Sequence, residues 1–311
     1  TMVHAENDDV INWLTERLLA NGNTAPKFHA ISHARIAETE ASNRAIQLAR
    51  LIDTPIFIVH VSTDEAASII RKAQTDGLKI FAETCPQYLF LTAEDLDLEG
   101  AEGAKFCCSP PPRDALDQEA MWRGLTNGTF QLFSSDHAPY RFDETGKLHA
   151  GPNPNFKKIA NGVPGIELRM ALLFSEGVSK GRISINEFVA LTSSNAAKIY
   201  GLSPRKGTIA VGSDADIAIW DPNRNIKVEY KMLHDNVGYT PYEGMDLKGW
   251  PEVVISRGRI VIKENELRVK PGSGQFLKRT PGYDHIKPQQ NFVTEADQSK
   301  NFGANLCQLS N

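Results

Sequence analysis

The feature that most constrains the fold is a series of short apolar runs, each followed by polar residues, that alternate with longer amphipathic segments. Residues 55–60 (PIFIVH) form one such run and end on a histidine, and residues 78–83 (LKIFAE) form the next. Residues 130–134 lead in the same way into Ser135 and Asp136. A strand buried on both faces of a parallel sheet is apolar throughout, so the alternation predicts βα units. The spacing of apolar residues predicts helices at 34–51, 63–75 and 114–125.

The polar residues after the apolar runs stand where a (β/α)8 barrel carries its chemistry, at the carboxyl ends of the strands. About four strands precede residue 204, roughly half of the eight that close such a barrel. Residues 1–7 (TMVHAEN) have the pattern of the end of a buried strand followed by a polar loop. We therefore expect an α/β fold in which residues 1–204 form the C-terminal half of a TIM-type barrel, with an upstream part missing from the chain.

The sequence pattern changes at Gly201. Residues 206–268 contain short β-branched segments separated by Gly, Asp or Asn, which predicts an antiparallel sheet. We assign residues 205–270 to part of a small β-sandwich domain. Residues 271–311 are rich in Pro, Gly, Gln and Asn and are expected to form an extended tail at a subunit interface. The aromatic residues that would anchor the tail are Phe276, Tyr283, Phe292 and Phe302.

Composition limits the class of partner. The 311 residues are 41% hydrophobic and 23% charged, as is typical of a folded globular protein. The formal charge of -4 is spread without a basic block, which argues against a nucleic-acid or anionic membrane partner. No run of about 18 apolar residues occurs, so we expect a cytoplasmic protein with a small-molecule ligand. The cysteines lack CxxC spacing and are expected to be reduced: Cys85, Cys107, Cys108 and Cys307.

Three residues at strand ends carry the chemistry of a metal site. Asp136, in the segment SDHAP, is a carboxylate that can bind a metal and take a proton from water. His60 ends an apolar run, and His4 begins the polar loop after another. Imidazole with carboxylate suits zinc or a similar divalent ion. Alone, Asp136 could be a loop cap and His60 a hydrogen-bonded core histidine, but convergence of the three on one barrel mouth favours a metal site.

Seven motifs of this chain, in order and spacing, resemble those of the dihydropyrimidinase and D-hydantoinase family. They are VHAEN at 3–7, HVS at 60–62, ETCPQYL at 83–89, CSPPPR at 108–113, SDHAP at 135–139, ANGVPGIE at 160–167 and KGTIAVGSDADIAIWD at 206–221. Each motif is moderately specific alone, whereas seven in register are not expected by chance. The resemblance spans nearly the whole chain.

The resemblance implies a site with two divalent metal ions, of which Zn²⁺ is the expected identity. His4 and His60 would ligate the more exposed ion. Asp136 would ligate the buried ion and act as the general base. Ser109 and Asn161 match positions whose backbone groups hold the cyclic imide or ureide of the substrate.

The activity implied by the resemblance is hydrolysis of the cyclic amide bond of dihydropyrimidines and 5-substituted hydantoins to N-carbamoyl amino acids. A metal-bound hydroxide would attack, which leaves no task for a thiol, so Cys108 is expected to be a packed side chain. A homo-oligomer, by resemblance a tetramer, is expected. The family's HxH pair, its carboxylated lysine and an oxyanion-stabilising tyrosine lie upstream of VHAEN. We therefore expect this chain alone to be inactive and, because half a barrel exposes a sheet edge, not to fold alone.

Two alternatives stay open. The first is a non-catalytic assembly or signalling relative of the same fold, as the collapsin-response-mediator proteins resemble these enzymes. Retention of His4, His60 and Asp136 argues against it. The second is an amidohydrolase of the allantoinase or dihydroorotase kind, which differs chiefly in the substrate-binding loops, and the combination of ETCPQYL with CSPPPR favours hydantoinases.

The remaining polar candidates have ordinary interpretations. His29 and His33 are expected to cap a helix or to face solvent. His137 is expected to hydrogen-bond near the site without being a ligand, and His149 lies in a loop beside the mouth. Glu83, at a strand end, is expected to have a structural or supporting role.

Overall fold

A parallel sheet organises the first part of the molecule. The computed structural model describes residues 1–279. Four strands pair in sequence order, and every pairing is parallel. Ile58 pairs with Val3 on one side and with Ala82 on the other. The strands are β1 (Met2–Val3), β2 (Ile56–Ile58), β3 (Ile80–Thr84) and β4 (Leu132–Phe133).

Helices connect and cover these strands, as crossovers between parallel neighbours require. The α-helices of residues 1–279 are α1 (Asp8–Ala20), α2 (Phe28–Ser32), α3 (Arg35–Leu51), α4 (Asp64–Thr75), α5 (Gln87–Phe90), α6 (Ala115–Thr126), α7 (Arg169–Leu173), α8 (Ile185–Val189) and α9 (Asn195–Ile199). Two π-helical segments, Phe174–Ser179 and Ala190–Ser194, continue α7 and α8. Short 3-10 helices lie at Ala93–Asp97, Glu102–Phe106, Phe156–Lys158 and Tyr230–Met232.

Helix α4 illustrates how the sequence sets the position of the loop that carries His60. Thr63 caps the helix, and its side chain accepts a hydrogen bond from the amide of Ala66. Two acidic residues in the first turn add favourable charge at the helix N-terminus. Burial of Ile70 then attaches the helix to the core formed with β2 and β3. The loop between β2 and α4 is therefore fixed at both ends.

A second sheet, antiparallel throughout, follows the helices. Its order is β5 (Ile217–Lys227), β6 (Asp246–Ser256), β7 (Arg259–Lys263) and β8 (Glu266–Leu267). Trp220 of β5 stacks on Phe174 with 4.8 Å between ring centroids. Gly249 of β6 approaches Phe174 so closely that an added Cβ would lie 2.2 Å from the ring. The second sheet thus packs on the helical layer of the first part.

The order of elements agrees with the α/β pattern predicted from the sequence. Strand and helix positions match for β2, β3, β4, α3, α4 and α6, and the antiparallel sheet lies within residues 206–268. The four parallel strands do not close a barrel within the described residues, so the half-barrel, the β-sandwich and the domain limits at 204 and 270 stay predictions. The tail at 271–311 lies mostly outside the described residues, and so does Cys307.

Two further expectations concern thiols and membranes. Cys85, Cys107 and Cys108 are free and buried, in agreement with the prediction of reduced thiols. Within residues 1–279, every helix is too short or too polar to cross a membrane.

Candidate active site

His60 and Asp136 share an unusual backbone conformation at the ends of two strands. His60 follows β2 with φ of +43°, and Asp136 follows β4 with φ of +44°. Residues other than glycine seldom adopt this left-handed conformation, and where they do it is often at functional sites. Hydrogen bonds hold both turns: the amide of Val61 donates to the carbonyl of Glu83 at 2.9 Å, and that of Ala138 donates to the carbonyl of Val163 at 3.1 Å.

His4 and His60 meet at the end of the parallel sheet. Nδ1 of His4 lies 2.8 Å from Nε2 of His60, and the rings meet edge to face. The side chain of His4 is 49% exposed, whereas His60 is buried. Burial and the neighbouring His4 lower the pKa of His60 to about 4. Burial raises the pKa of Asp136, and the charge of His4 partly offsets this rise. Within residues 1–279, however, no three His, Cys, Asp or Glu side chains form a metal-binding cluster.

A second pair, Glu6 and His33, lies behind His4, and sequence reasoning missed it. Oε1 of Glu6 accepts a hydrogen bond from Nδ1 of His33 at 2.9 Å, and Oε2 lies 3.1 Å from Nε2 of His4. The Glu6 side chain is almost wholly buried. Burial opposes ionisation of Glu6, but the contacts with His33 and His4 outweigh it and lower the pKa of the carboxyl group. In turn, the Glu6 carboxylate raises the pKa of His4.

A buried ion pair fixes the loop after His60. Oε1 of Glu38 accepts from the amide of Ser62 at 2.8 Å, and Oε2 accepts from the Ser62 hydroxyl at 2.6 Å. Nε of Arg113 donates to the same hydroxyl at 3.0 Å, and its guanidinium contacts Glu38 at 3.4 Å. Burial raises the pKa of Glu38. The network joins the segment 60–62 to the segment 108–113 across the site.

A cavity of about 350 Å³ opens beside these residues and is lined by His4, Ser109 and Asn161 among others. Within residues 1–279, the main-chain N–H and C=O groups of Ser109 and Asn161 have no hydrogen-bond partner in the protein. The Ser109 hydroxyl lies 3.4 Å from Nε2 of His29, and the Asn161 side chain accepts a long contact from the thiol of Cys107. The structure thus brings both predicted substrate-binding residues to the cavity that His4 lines.

The expectation that His29 caps a helix or faces solvent is wrong. His29 lies in α2, is 2% exposed, and its Nε2 donates to the carbonyl of Cys108 at 2.8 Å. Burial, with a smaller effect of His33, lowers the pKa of His29 to about 3. His33 does lie at the C-cap of α2, but its ring binds Glu6 instead of facing solvent. In both cases the partner of the ring comes from a segment distant in sequence.

The other polar candidates behave largely as expected. Nδ1 of His137 accepts from the amides of Gly165 and Ile166 at 3.1 and 3.3 Å, so this histidine supports the loop at 160–167. Burial raises the pKa of Glu83 to about 7. Cys108 is a buried thiol whose pKa is raised by burial, as expected of a packed side chain. His149 is exposed and contacts the carbonyl of Gly146.

Comparison with known proteins places this chain in a family. Residues 58–261 match the family model described as "Amidohydrolase family", which is more than half of the chain. The chain belongs to the amidohydrolase family. Among curated relatives, this amidohydrolase is 43% identical to the D-hydantoinase of Rhizobium radiobacter over 278 residues, covering 89% of this chain and 60% of the relative.

Solved structures of similar proteins match this chain with comparable identity and coverage. A D-hydantoinase from a Bacillus sp. AR9 superposes with a TM-score of 0.87 and 46% identity, covering 90% of this chain and 61% of that protein. The dihydropyrimidinase of Brevibacillus agri NCHU1002 gives a TM-score of 0.87 and 45% identity, covering 90% and 60%. This amidohydrolase chain therefore spans about three fifths of the length of the relatives that it matches.

Proposed function

We propose that this amidohydrolase contributes the active site of an enzyme that hydrolyses the cyclic amide bond of hydantoins and dihydropyrimidines. The observation that carries the proposal is the meeting of His4 and His60 beside a cavity lined by Ser109 and Asn161. Imidazole donors and open main-chain groups together suit a metal-assisted attack on a small ring with amide donors and acceptors. The names of the relatives, D-hydantoinase and dihydropyrimidinase, support the same substrate class.

The donor set of the chain fits a divalent cation. The facing nitrogens of His4 and His60 can act as two ligands of one ion, and Asp136 supplies a carboxylate for a second, a combination of donors that zinc accepts. A complete binuclear site needs donors in addition to these three. When bound, the cations lower the pKa of a water molecule and polarise the carbonyl of the ring. Zinc as the native metal is part of the proposal.

The residues of the chain transfer the protons and hold the substrate ring. Asp136 takes the proton from the attacking water as its oxygen bonds to the ring carbonyl carbon. The same carboxyl group then gives a proton to the ring nitrogen as the C–N bond breaks, which yields the N-carbamoyl amino acid. The main-chain groups of Ser109 and Asn161 hold the ring so that the carbonyl faces the water.

The proposal also covers the binding partner, the cellular location, the oligomeric state and the domains of the enzyme. Its partner is a small cyclic ureide, with no nucleic acid or membrane partner, and the active form is a cytoplasmic homo-oligomer. The barrel part of the chain, residues 1–204, would carry the site, and residues 205–270 would form part of the β-sandwich domain.

The test is metal content and hydrolysis by the protein expressed from the complete gene. Dihydrouracil, hydantoin, allantoin and dihydroorotate are offered in parallel, since the allantoinase and dihydroorotase alternatives differ in substrate. Two metal ions per chain with turnover of hydantoin or dihydrouracil would support the proposal. Turnover of allantoin or dihydroorotate alone would favour the corresponding alternative, and a folded, metal-free, inactive protein would favour a non-catalytic assembly relative.

A further inference from the structure

Lys147 is fully buried between two backbone segments of the candidate site. Its ammonium group donates to the carbonyl of Cys107 and to the carbonyl of Ala160, each at 2.9 Å. Cys107 lies two residues before Ser109, and Ala160 directly precedes Asn161. We name this arrangement, formed by Lys147, Cys107 and Ala160, the lysine clamp. One side chain therefore joins the two segments that line the cavity.

A lysine in this position is unusual because buried lysines are normally paired with carboxylates. Within residues 1–279, the partners of the Lys147 ammonium group are these two carbonyls and include no carboxylate. Burial lowers the pKa of Lys147 to about 8. The loop that carries Lys147 is closed by a hydrogen bond: the Lys147 amide donates to the carbonyl of Arg141 at 2.8 Å. At Gly146, an added Cβ would lie 2.1 Å from the same carbonyl. In this loop, the Lys147 ammonium group contacts two backbone carbonyls instead of solvent.

Further contacts extend the clamp toward Asp136. The amide of Gly162 donates to the carbonyl of Cys107 at 2.9 Å, so this carbonyl accepts from both Gly162 and Lys147. Gly162 has φ of +144°, and an added Cβ would lie 2.3 Å from Cβ of Ala138, in the loop of Asp136. The segment 160–163 is therefore held between Cys107 on one side and the Asp136 loop on the other.

The carbonyls on either side of Ser109 are also held. That of Cys108 accepts from His29 at 2.8 Å, and that of Pro110 accepts from the hydroxyl of Tyr88 at 2.9 Å. Ser109 itself keeps its main-chain groups without a protein partner within residues 1–279. Such a segment is rigid at its neighbours and open at one residue, as expected of main chain that binds a ligand.

We propose that Lys147 is a positioning residue, which sets the spacing between the main-chain groups of Ser109 and Asn161 and thereby aligns the substrate ring with Asp136. The inference rests on the proposed function, in which these main-chain groups hold the ring. A cyclic ureide is rigid, so its donors and acceptors can meet two anchors only if the anchors have the correct spacing. Loss of the clamp should weaken substrate binding more than it changes the proton transfers of Asp136.

The experiment compares Lys147→Met with the parent, using the metal-loaded protein expressed from the complete gene. Methionine is close to lysine in length and removes both donors. The matched control is Gln74→Met, because the amide of Gln74 also bridges two carbonyls, those of Ile80 and Thr129 at 3.0 and 2.9 Å, away from the cavity. Kinetics with hydantoin and hydrogen exchange of peptides spanning residues 105–112 and 157–165 are measured for all three proteins.

We expect Lys147→Met to raise KM about tenfold or more, with a smaller effect on kcat and an unchanged metal content. Both peptides should exchange faster, whereas Gln74→Met should leave KM and both peptides unchanged. If Lys147→Met does not fold, Lys147→Gln, which keeps a shorter donor, is expected to shift KM and exchange in the same direction.

Three adverse results have different meanings. A folded, active Lys147→Met or Lys147→Gln protein with parental KM and exchange would overturn the clamp and leave the proposed function intact. A parent that hydrolyses no cyclic ureide would overturn the proposed function and, with it, the substrate role of Lys147. Faster exchange with Gln74→Met as well would show that the effect on the two peptides is not specific to the clamp, and would count against it.

Discussion

Nδ1 of His4 lies 2.8 Å from Nε2 of His60, although the two residues are 56 positions apart in the chain. The pairing follows from the parallel register, because Val3 lies beside Ile58 in neighbouring strands. The residues that follow these strands therefore emerge at the same edge of the sheet. With one nitrogen of His4 directed at His60, the other is left for Glu6. A metal-binding histidine normally donates its second N–H to such a partner, which fixes the ring orientation.

Replacement of Asp136 tests the proposed general base. Asp136→Asn keeps the size of the side chain and removes its ability to take a proton. We expect kcat for hydantoin to fall by about 10²–10⁴-fold, the usual contribution of a positioned general base. The melting temperature should remain close to that of the parent. A variant that keeps substantial turnover would contradict this role for Asp136.

Glu6 is expected to support metal binding through His4. Glu6→Gln removes the carboxylate that orients His4 and should lower zinc affinity by about 10–100-fold. Competition with a chromophoric chelator measures the affinity directly, whether or not the enzyme is active. Glu102→Gln serves as the control, because Glu102 forms an exposed ion pair with Lys105. Equal zinc affinities in the two variants would argue against a role for Glu6.

The ion pair of Glu38 and Arg113 is expected to contribute strongly to stability. Arg113→Met leaves the Glu38 carboxylate buried without its cation, a change that typically lowers the free energy of unfolding by about 3–5 kcal/mol. Arg182→Met breaks the exposed pair with Glu119 and should change the free energy by about 1 kcal/mol or less. Urea unfolding of both variants provides the comparison. Similar losses in the two would show that the buried network is no more stabilising than a surface pair.

Burial of neutral His29 predicts a dependence of stability on pH. A histidine in the unfolded chain binds a proton near its ordinary pKa of 6.5, whereas folded His29 stays neutral down to about 3. The unfolded state therefore binds more protons between these values, and the stability present above pH 6.5 is lost as pH falls. His29→Gln keeps a donor for the carbonyl of Cys108 and removes the titration. Its melting temperature should fall less than that of the parent between about pH 7, which lies above this window, and about pH 4, which lies within it.

Sequence reasoning identified several residues of the site because their signals are local. Apolar runs define strands, and the residue after each run lies at the carboxyl edge of a parallel sheet. His60 and Asp136 were predicted in this way. Ser109 and Asn161 came from the family resemblance, and the structure places both at the cavity that His4 lines. None of these assignments requires knowledge of which loops meet.

The partners of these residues were decided only by the tertiary structure. Glu6 and His33 are 27 positions apart, Lys147 and Cys107 are 40 apart, and His29 is 79 from Cys108. A side chain's neighbours at such separations depend on how loops pack, and no periodicity in the sequence records this packing. Burial also depends on this packing: it lowers the pKa of His29, and it places Lys147 between the carbonyls of Cys107 and Ala160. By itself, the sequence determined the strand pattern, the family and the chemistry of its strand ends, and the packing of distant loops decided how those ends are held.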